Sequence, residues 1–329
     1  MASIQDPGAD LTPAQRSVSW RRSYPAPAKL NLFLHVVARR NDGYHLLQTL
    51  FRLIDLSDTL RFSLREDDQI RLATEIPGLP QGDDLCVRAA SALRAAAGMH
   101  AGVDIHLDKR IPIGGGLGGG SSDAATTLLV LNRLWELGLT REELMPLSLG
   151  LGADVPFFLL GENAFGEGAG EVLTPVDLPQ AWYVVLVPPV AVPTVAIFAA
   201  PELTRNTKTI TISSFSAGVG GVGHVGERLP SGDEKFSWPG PHFGHNDLEP
   251  VVCNRYPQVA QYLEWLRAHG AGSGGGTIAR MSGSGACVFA EFATEGEARS
   301  VVSSLPAGMR GFAVRGLDRH PLQAMLEEG

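Results

Sequence analysis

From Lys29 to Val37 the chain reads KLNLFLHVV, with apolar and polar positions alternating. Leu30, Leu32, Leu34 and Val36 fall on one side and Asn31 and His35 on the other, the period of a strand with one buried face. DGYHLL carries a turn signal, and LQTLFRLIDLSDTLRFSL resumes strand character. The spacing turns helical from Leu85 to Ala97 and stops at Gly98, a residue suited to a C-cap. VDIHL, Val103 to Leu107, alternates again. A further helix is expected from about Ser121 to Leu137, its apolar face drawn by Ala124, Ala125, Leu128, Leu131, Leu134 and Trp135. Thr140 and Glu143 have capping-box spacing for a shorter helix that gives out near Gly150 and Gly152. Farther on, WYVVLV reads as a strand, NRYPQVAQYLEWLRAHG as helical, ACVFAEF as a strand, EGEARSVVSSL as a helix and GFAVRG as a strand. Strands and helices mix without a regular βαβα repeat, so the class is α+β in two layers.

Residues 1–22 form a polar tail. A composition shift near Thr174 to Gln180 divides the rest into 23–176 and 177–329. Pro, Gly and Ser dominate from Ser213 to Gly244, which reads as a surface excursion. The 329 residues are 44% hydrophobic and 19% charged, a globular composition. A net charge of −8 argues against nucleic-acid and anionic-membrane partners. Cys86, Cys253 and Cys287 are scattered and odd in number, neither a disulfide framework nor a metal cluster. No apolar run has the length of a signal peptide or a membrane span. These features set the expectation of a cytoplasmic protein; a monomer or weak homodimer is expected besides, though no pattern in the sequence fixes it.

The chemistry centres on IPIGGGLGGGSSDAATTLLVLNRLW, Ile111 to Trp135. Its context is strand, glycine-rich turn, helix. The first amides of a helix lack partners within it and carry the positive end of its dipole. Glycines on the approach let an anion reach several of them, so phosphate is expected against the loop. Ser121 and Ser122 then serve as caps or as contacts to phosphate and its metal. The alternative is a tight turn with a serine N-cap. No Walker sequence is present, because no lysine follows the glycines. Gly114, Gly116 and Gly119 satisfy G-x-G-x-x-G, but so dense a run matches almost automatically. Glu136 falls at a helix end, where it reaches no ribose, which disfavours a nicotinamide cofactor.

KRIPIGGGLGGGSSDAA resembles the second motif of the GHMP kinase superfamily, which includes galactokinase, homoserine kinase and mevalonate kinase. PAKLNLFLHVVARRNDGYHLLQTLF, LGADVPFFLLGENAFGEGAGE and MSGSGACVFAEF follow the family order. Together the four stretches are similar to the branch whose substrate is diphosphocytidyl-methylerythritol. The resemblance runs from about Pro25 to Leu326, interrupted by the excursion. It implies an N-terminal ATP-binding domain, a C-terminal ferredoxin-like domain and a cleft between them. It also implies transfer of the γ-phosphoryl of ATP to a tertiary hydroxyl.

Carried onto this chain, the motifs make Asp154 the catalytic base, or the group that orients the hydroxyl, and Lys29 its partner. Lys29 would also stabilise the developing alkoxide or the transferred phosphoryl. The nucleotide cradle becomes Pro112, Gly114, Gly115, Gly116, Leu117, Gly118, Gly119, Gly120, Ser121 and Ser122. Tyr44 and Phe198 sandwich the cytosine, His45 reads its edge, and Thr194 and Asn31 help hold the substrate. Gly283, Ser284 and Gly285 close the site beside the phosphates. Read without the resemblance, Asp154 is a turn cap, Lys29 a solvated charge, Phe198 a core residue, His45 a turn cap and Ser282–Gly285 an ordinary turn. Mg²⁺ is expected with ATP. Ser122 and Asp123 lie near the cradle, and Asp123 either contacts the metal or turns away. Asp84 stands where the family commonly has asparagine, close to the adenine pocket. A nicotinamide oxidoreductase leaves Lys29, Asp154 and the last motif unexplained. A catalytically silent nucleotide-binding regulator would have lost the pair. A sibling acting on mevalonate or homoserine would not need the paired aromatics.

Overall fold

The computed structural model describes residues 22–74, 76, 78–210, 240, 242–269 and 278–327. The tail before Arg22 and the excursion up to residue 239 lie outside the described residues.

Two long strands, β1 (Tyr24–Arg39) and β2 (His45–Arg65), form an antiparallel hairpin. Its turn follows DGYH: Gly43 takes φ +91°, and Asp42 Oδ1 accepts the Tyr44 amide. The other strands are β3 (Ile70–Leu72), β4 (Gly102–Asp108), β5 (Ala164–Glu167), β6 (Val172–Pro175), β7 (Trp182–Leu186), β8 (Ala279–Met281), β9 (Val288–Phe292) and β10 (Gly311–Leu317). They join one ten-stranded sheet along the path β3-β4-β2-β10-β7-β9-β8, with β1 and β5 also on β2 and β6 on β5. The link between the two halves is narrow: β10 meets β2 only at Gly316–Ile54 and Leu317–Leu53.

Helices α1 (Leu85–Ala97), α2 (Gly119–Leu134), α3 (Arg141–Leu151) and α4 (Val155–Leu160) cover the first half. In the second half lie α5 (Thr194–Phe198), α6 (Glu249–Arg255), α7 (Pro257–His269) and α8 (Glu295–Ser303). The final helix, α9 (Leu322–Glu327), returns to the first half, where Leu322 is buried with Phe157 and Leu128. A second cluster gathers Val184, Leu263 and Val301; a third, with Leu30, Phe33, Ile111, Tyr183 and Phe289, draws on both halves. No helix among the described residues is long and apolar enough to cross a membrane.

Local signals survive intact where they are self-contained. Helix α1 has the expected bounds and ends on a left-handed Gly98. The Thr140–Glu143 capping box makes both of its hydrogen bonds. Three readings change. Strand β1 is buried on both faces, and a register shift between Asn31 and Leu34 sends Leu30 and Leu32 to the third cluster but Leu34 and Val36 to the second. NRYPQVAQYLEWLRAHG is two helices broken at Tyr256, because Pro257 pushes the residue before it out of helical geometry. Helix α2 begins at Gly119, not Ser121, and stops at Leu134. The short α4, which presents Asp154, carried no periodicity long enough to read.

Candidate active site

Lys29 lies in β1, which pairs with β2 alone among the described strands, and its side chain is 3% exposed. Its ammonium donates to Asn31 Oδ1 at 2.5 Å, lies 3.2 Å from Asp154 Oδ2, and sits 5.6 Å over the Phe51 ring. This is no solvated charge at a strand start. Asp154 occupies the N-cap position of α4, yet its side chain makes no capping bond and is one-third exposed. Its carboxylate is free to face a ligand. Asn31 is fixed in turn: its Nδ2 donates to Thr49 Oγ1, which donates to Phe33 O.

The glycine run is held against this pair by the rest of the protein. The Lys29 amide donates to Leu117 O, and the Cys287 amide to Gly115 O. Ser282 Oγ accepts the Asn31 amide and donates to Gly116 O. A Cβ on Gly116 would come within 2.2 Å of Ser282 O, one on Gly115 within 2.6 Å of Cys287 Sγ, and one on Gly118 within 2.9 Å of Phe158. Close packing of the chain on itself therefore accounts for these glycines before any phosphate is considered. Gly120 is different, since a Cβ there meets nothing closer than Leu85 Cδ1 at 3.4 Å.

Neither serine is a cap. Gly118, left-handed, stands at the N-cap of α2, and Ser121 and Ser122 lie inside its first turn. Ser122 is fully buried, and its Oγ has no partner among the described residues. Ser121 instead lines two cavities that meet across the glycine loop. The larger, about 700 Å³, is lined by Lys29, Asp154, Tyr44, His45, Thr194 and Phe198. The smaller, about 540 Å³, is lined by Pro112, Ile113, Asp84, Lys109 and Asp123. Gly114, Gly116, Gly118 and Ser121 belong to both walls.

Asp123 does not reach into the cradle as an uncompensated charge. Lys109 Nζ lies 2.8 Å from Asp123 Oδ2 and 2.5 Å from Asp58 Oδ2, while Asp58 Oδ1 accepts the amides of Arg110 and Ile111. Two carboxylates thus share one ammonium. Burial pushes the Asp123 carboxyl up to about 8 against the opposing pull of Lys109, whose own pKa is raised by the two carboxylates despite burial. Asp84 caps α1, its Oδ1 accepting the amides of Cys86 and Val87. An asparagine would cap equally well.

Also lining the larger cavity, the His45 ring lies tilted against Phe198, with ring centroids 5.1 Å apart, while Tyr44 is 65% exposed. The His45 ring bonds to Arg205, so it is not a turn cap. Phe198 packs only partly against the second cluster. Ser284 Oγ lies 2.7 Å from Thr194 Oγ1, which ties the Ser282–Gly285 turn to α5. Asn246 Nδ2 donates to the Gly283 carbonyl. Sequence reading missed Arg205, Thr49 and the Asp58–Lys109 pair. Their positions depend on long-range packing, and no local spacing marks them.

Residues 84–162 match the family model of the GHMP kinases N terminal domain and residues 239–311 that of the GHMP kinases C terminal domain. The fold is also that of a homoserine kinase from Cytophaga hutchinsonii, with a TM-score of 0.62 at 14% identity over 91% of this chain and 94% of the other. A buried lysine paired with a one-third-exposed aspartate, beside a glycine-lined helix start, thus sits in a GHMP kinase, the family to which this chain belongs. Within it the chain is a member of the 4-diphosphocytidyl-2-C-methyl-D-erythritol kinases. A kinase of that name from Thiobacillus denitrificans is 56% identical over 93% of this chain and 99% of its own, and one from Nitrosospira multiformis is 56% identical over 93% and 95%. A crystal structure of 4-(cytidine 5'-diphospho)-2C-methyl-D-erythritol kinase aligns with a TM-score of 0.70 at 36% identity, over 90% of this chain and 99% of that one.

Proposed function

We propose that the protein transfers the γ-phosphoryl of ATP to the C2 hydroxyl of 4-diphosphocytidyl-2-C-methyl-D-erythritol, a step of the non-mevalonate route to isoprenoids. The observation that carries this reading is the Lys29–Asp154 pair, 3.2 Å apart in the larger of two cavities that share the wall of one glycine loop. The smaller cavity takes the nucleotide, its terminal phosphates on the unpaired amides that open α2. The larger takes the acceptor alcohol.

Phosphoryl transfer leaves little covalent work to the protein; positioning and charge supply most of the acceleration. Asp154 accepts a hydrogen bond from the acceptor hydroxyl, fixes the direction of its lone pair toward the phosphoryl group and takes up its proton as the new oxygen–phosphorus bond forms and the bond to ADP breaks. Lys29 is held by Asn31 Oδ1 and stands next to the carboxylate, where it compensates charge developing on the acceptor oxygen. The cytosine lies between Tyr44 and Phe198, with His45 at its edge. Mg²⁺ carried on the nucleotide phosphates needs few protein ligands. Ser121, with its place in the shared wall, fits that role and the buried Ser122 does not. When bound, the ion neutralises phosphate charge. We further take the enzyme to act in the cytoplasm as a monomer or weak homodimer, without nucleic acid.

The test measures ADP release with the diphosphocytidyl alcohol, mevalonate and homoserine side by side, with mass detection of the phosphorylated product. Turnover confined to the first is expected. Equal or faster turnover with mevalonate would remove the assignment.

A further inference from the structure

Arg205 follows α5 and spends every part of its guanidinium on a single neighbourhood. Its Nε donates to His45 Nε2 at 3.0 Å, one terminal nitrogen to Leu203 O at 3.0 Å, and the other to Phe198 O at 3.0 Å and Ala200 O at 2.6 Å. Four bonds to three carbonyls and one ring leave it no freedom to turn. A guanidinium has only donors and stays charged, so the atom it bonds to must offer a lone pair. His45 Nε2 is therefore unprotonated and the ring is neutral, with its hydrogen on Nδ1. Two cations face this ring, Arg205 from the segment after α5 and Arg39 from the end of β1, whose backbone pairs with His45. Both oppose a second proton, and burial opposes it most.

We infer that Arg205 is a positioning residue for base selection, locking His45 as the Nδ1–H tautomer so that it presents a donor to the base. Cytosine offers an acceptor at N3, whereas uracil carries a hydrogen there. A fixed donor accepts the first edge and meets the second donor to donor, leaving a polar group unpaired in a desolvated site. The same guanidinium clasps the carbonyl of Phe198, so the ring that reads the edge and the ring that stacks share one anchor. The inference rests on the reading of His45 and Phe198 as the base site.

The first measurement is ¹⁵N NMR of histidine-labelled wild-type protein, with the His45 signals assigned by their loss in His45→Gln. The Nδ1–H pattern is expected; an Nε2–H pattern overturns the lock. The second is kinetic, on Arg205→Met and Arg205→Lys. Met should raise KM for the cytidine substrate about tenfold while kcat changes far less. It should narrow the kcat/KM preference for the cytidine over the uridine analogue, since a ring released from Arg205 can turn or change tautomer and offer uracil an acceptor. Lys, which keeps a donor and the charge, should recover part of each effect. If His45→Gln raises KM but Arg205→Met leaves KM and base preference unchanged, the positioning role fails alone. If neither substitution alters KM, the base-site reading fails and takes the inference with it.

Discussion

Replacing Gly116 by alanine tests why the glycine loop lacks side chains. The new Cβ would lie 2.2 Å from Ser282 O and 3.1 Å from the Gly285 amide nitrogen and carbonyl oxygen, all backbone atoms that cannot swing aside. An ordinary carbon–oxygen contact is about 3.3 Å, so the two glycine turns must part by about 1 Å. Gly116 also holds φ +74°, which costs a residue with a Cβ about 1–2 kcal/mol. Overpacking adds about 1–3 kcal/mol, for a total destabilisation of about 2–5 kcal/mol. Separation of the turns pulls Ser282 away from Asn31, and with it the anchor of Lys29, so kcat should fall at least about tenfold. Gly120→Ala is the internal comparison. Its Cβ has room, and alanine in a helix is favoured over glycine by up to about 1 kcal/mol, so stability should hold or rise. Urea unfolding and steady-state kinetics with varied ATP decide the matter. If both substitutions leave stability unchanged and raise the KM for ATP equally, the glycines answer to the ligand alone and the packing account is wrong.

Three further outcomes are expected. Asp154→Asn should lower kcat at least about a hundredfold with little change in unfolding midpoint; turnover within tenfold of the parent counts against its role. Asp123, with its folded pKa raised above the ordinary 3.8 to about 8, keeps a proton in the native state that the unfolded chain releases. Its contribution is therefore most favourable below pH 4 and is lost as pH rises toward 8. Relative to the parent, Asp123→Asn should gain at least about 1 kcal/mol between pH 5 and pH 8 in denaturant titrations; an unchanged difference contradicts the assignment. Arg52 is fully buried without a hydrogen-bond partner among the described residues, 3.9 Å from an exposed Asp318. Arg52→Met should be neutral or stabilising within about 1–2 kcal/mol by calorimetry, and a loss above 3 kcal/mol would show a stronger pairing than the geometry contains.

What was legible in the sequence follows from the range of the interactions concerned. The bounds of α1 and both bonds of the Thr140–Glu143 box were readable because cap and helix lie within a few residues of one another. The four motifs pointed to Lys29 and Asp154 as partners, and the structure brings them together across 125 residues of chain. Strand β1 misled because alternation cannot reveal a bulge, nor a second layer covering the polar face. The serines misled for a different reason: a left-handed glycine can end a turn and open a helix without a side-chain cap. Arg205 carried no local signal at all, since three of its four bonds only fix the guanidinium and the fourth reaches a ring 160 residues away in sequence.

The return of α9 has a consequence for how this chain is made. Leu322 completes the core that holds Phe157, and the carbonyls of Met325 and Leu326 take bonds from Arg22 and Arg133. Until those last turns have emerged from the ribosome, the domain translated first keeps an open apolar seam. Nascent chains halted before residue 322 should accordingly be the forms that proteases and chaperones recognise.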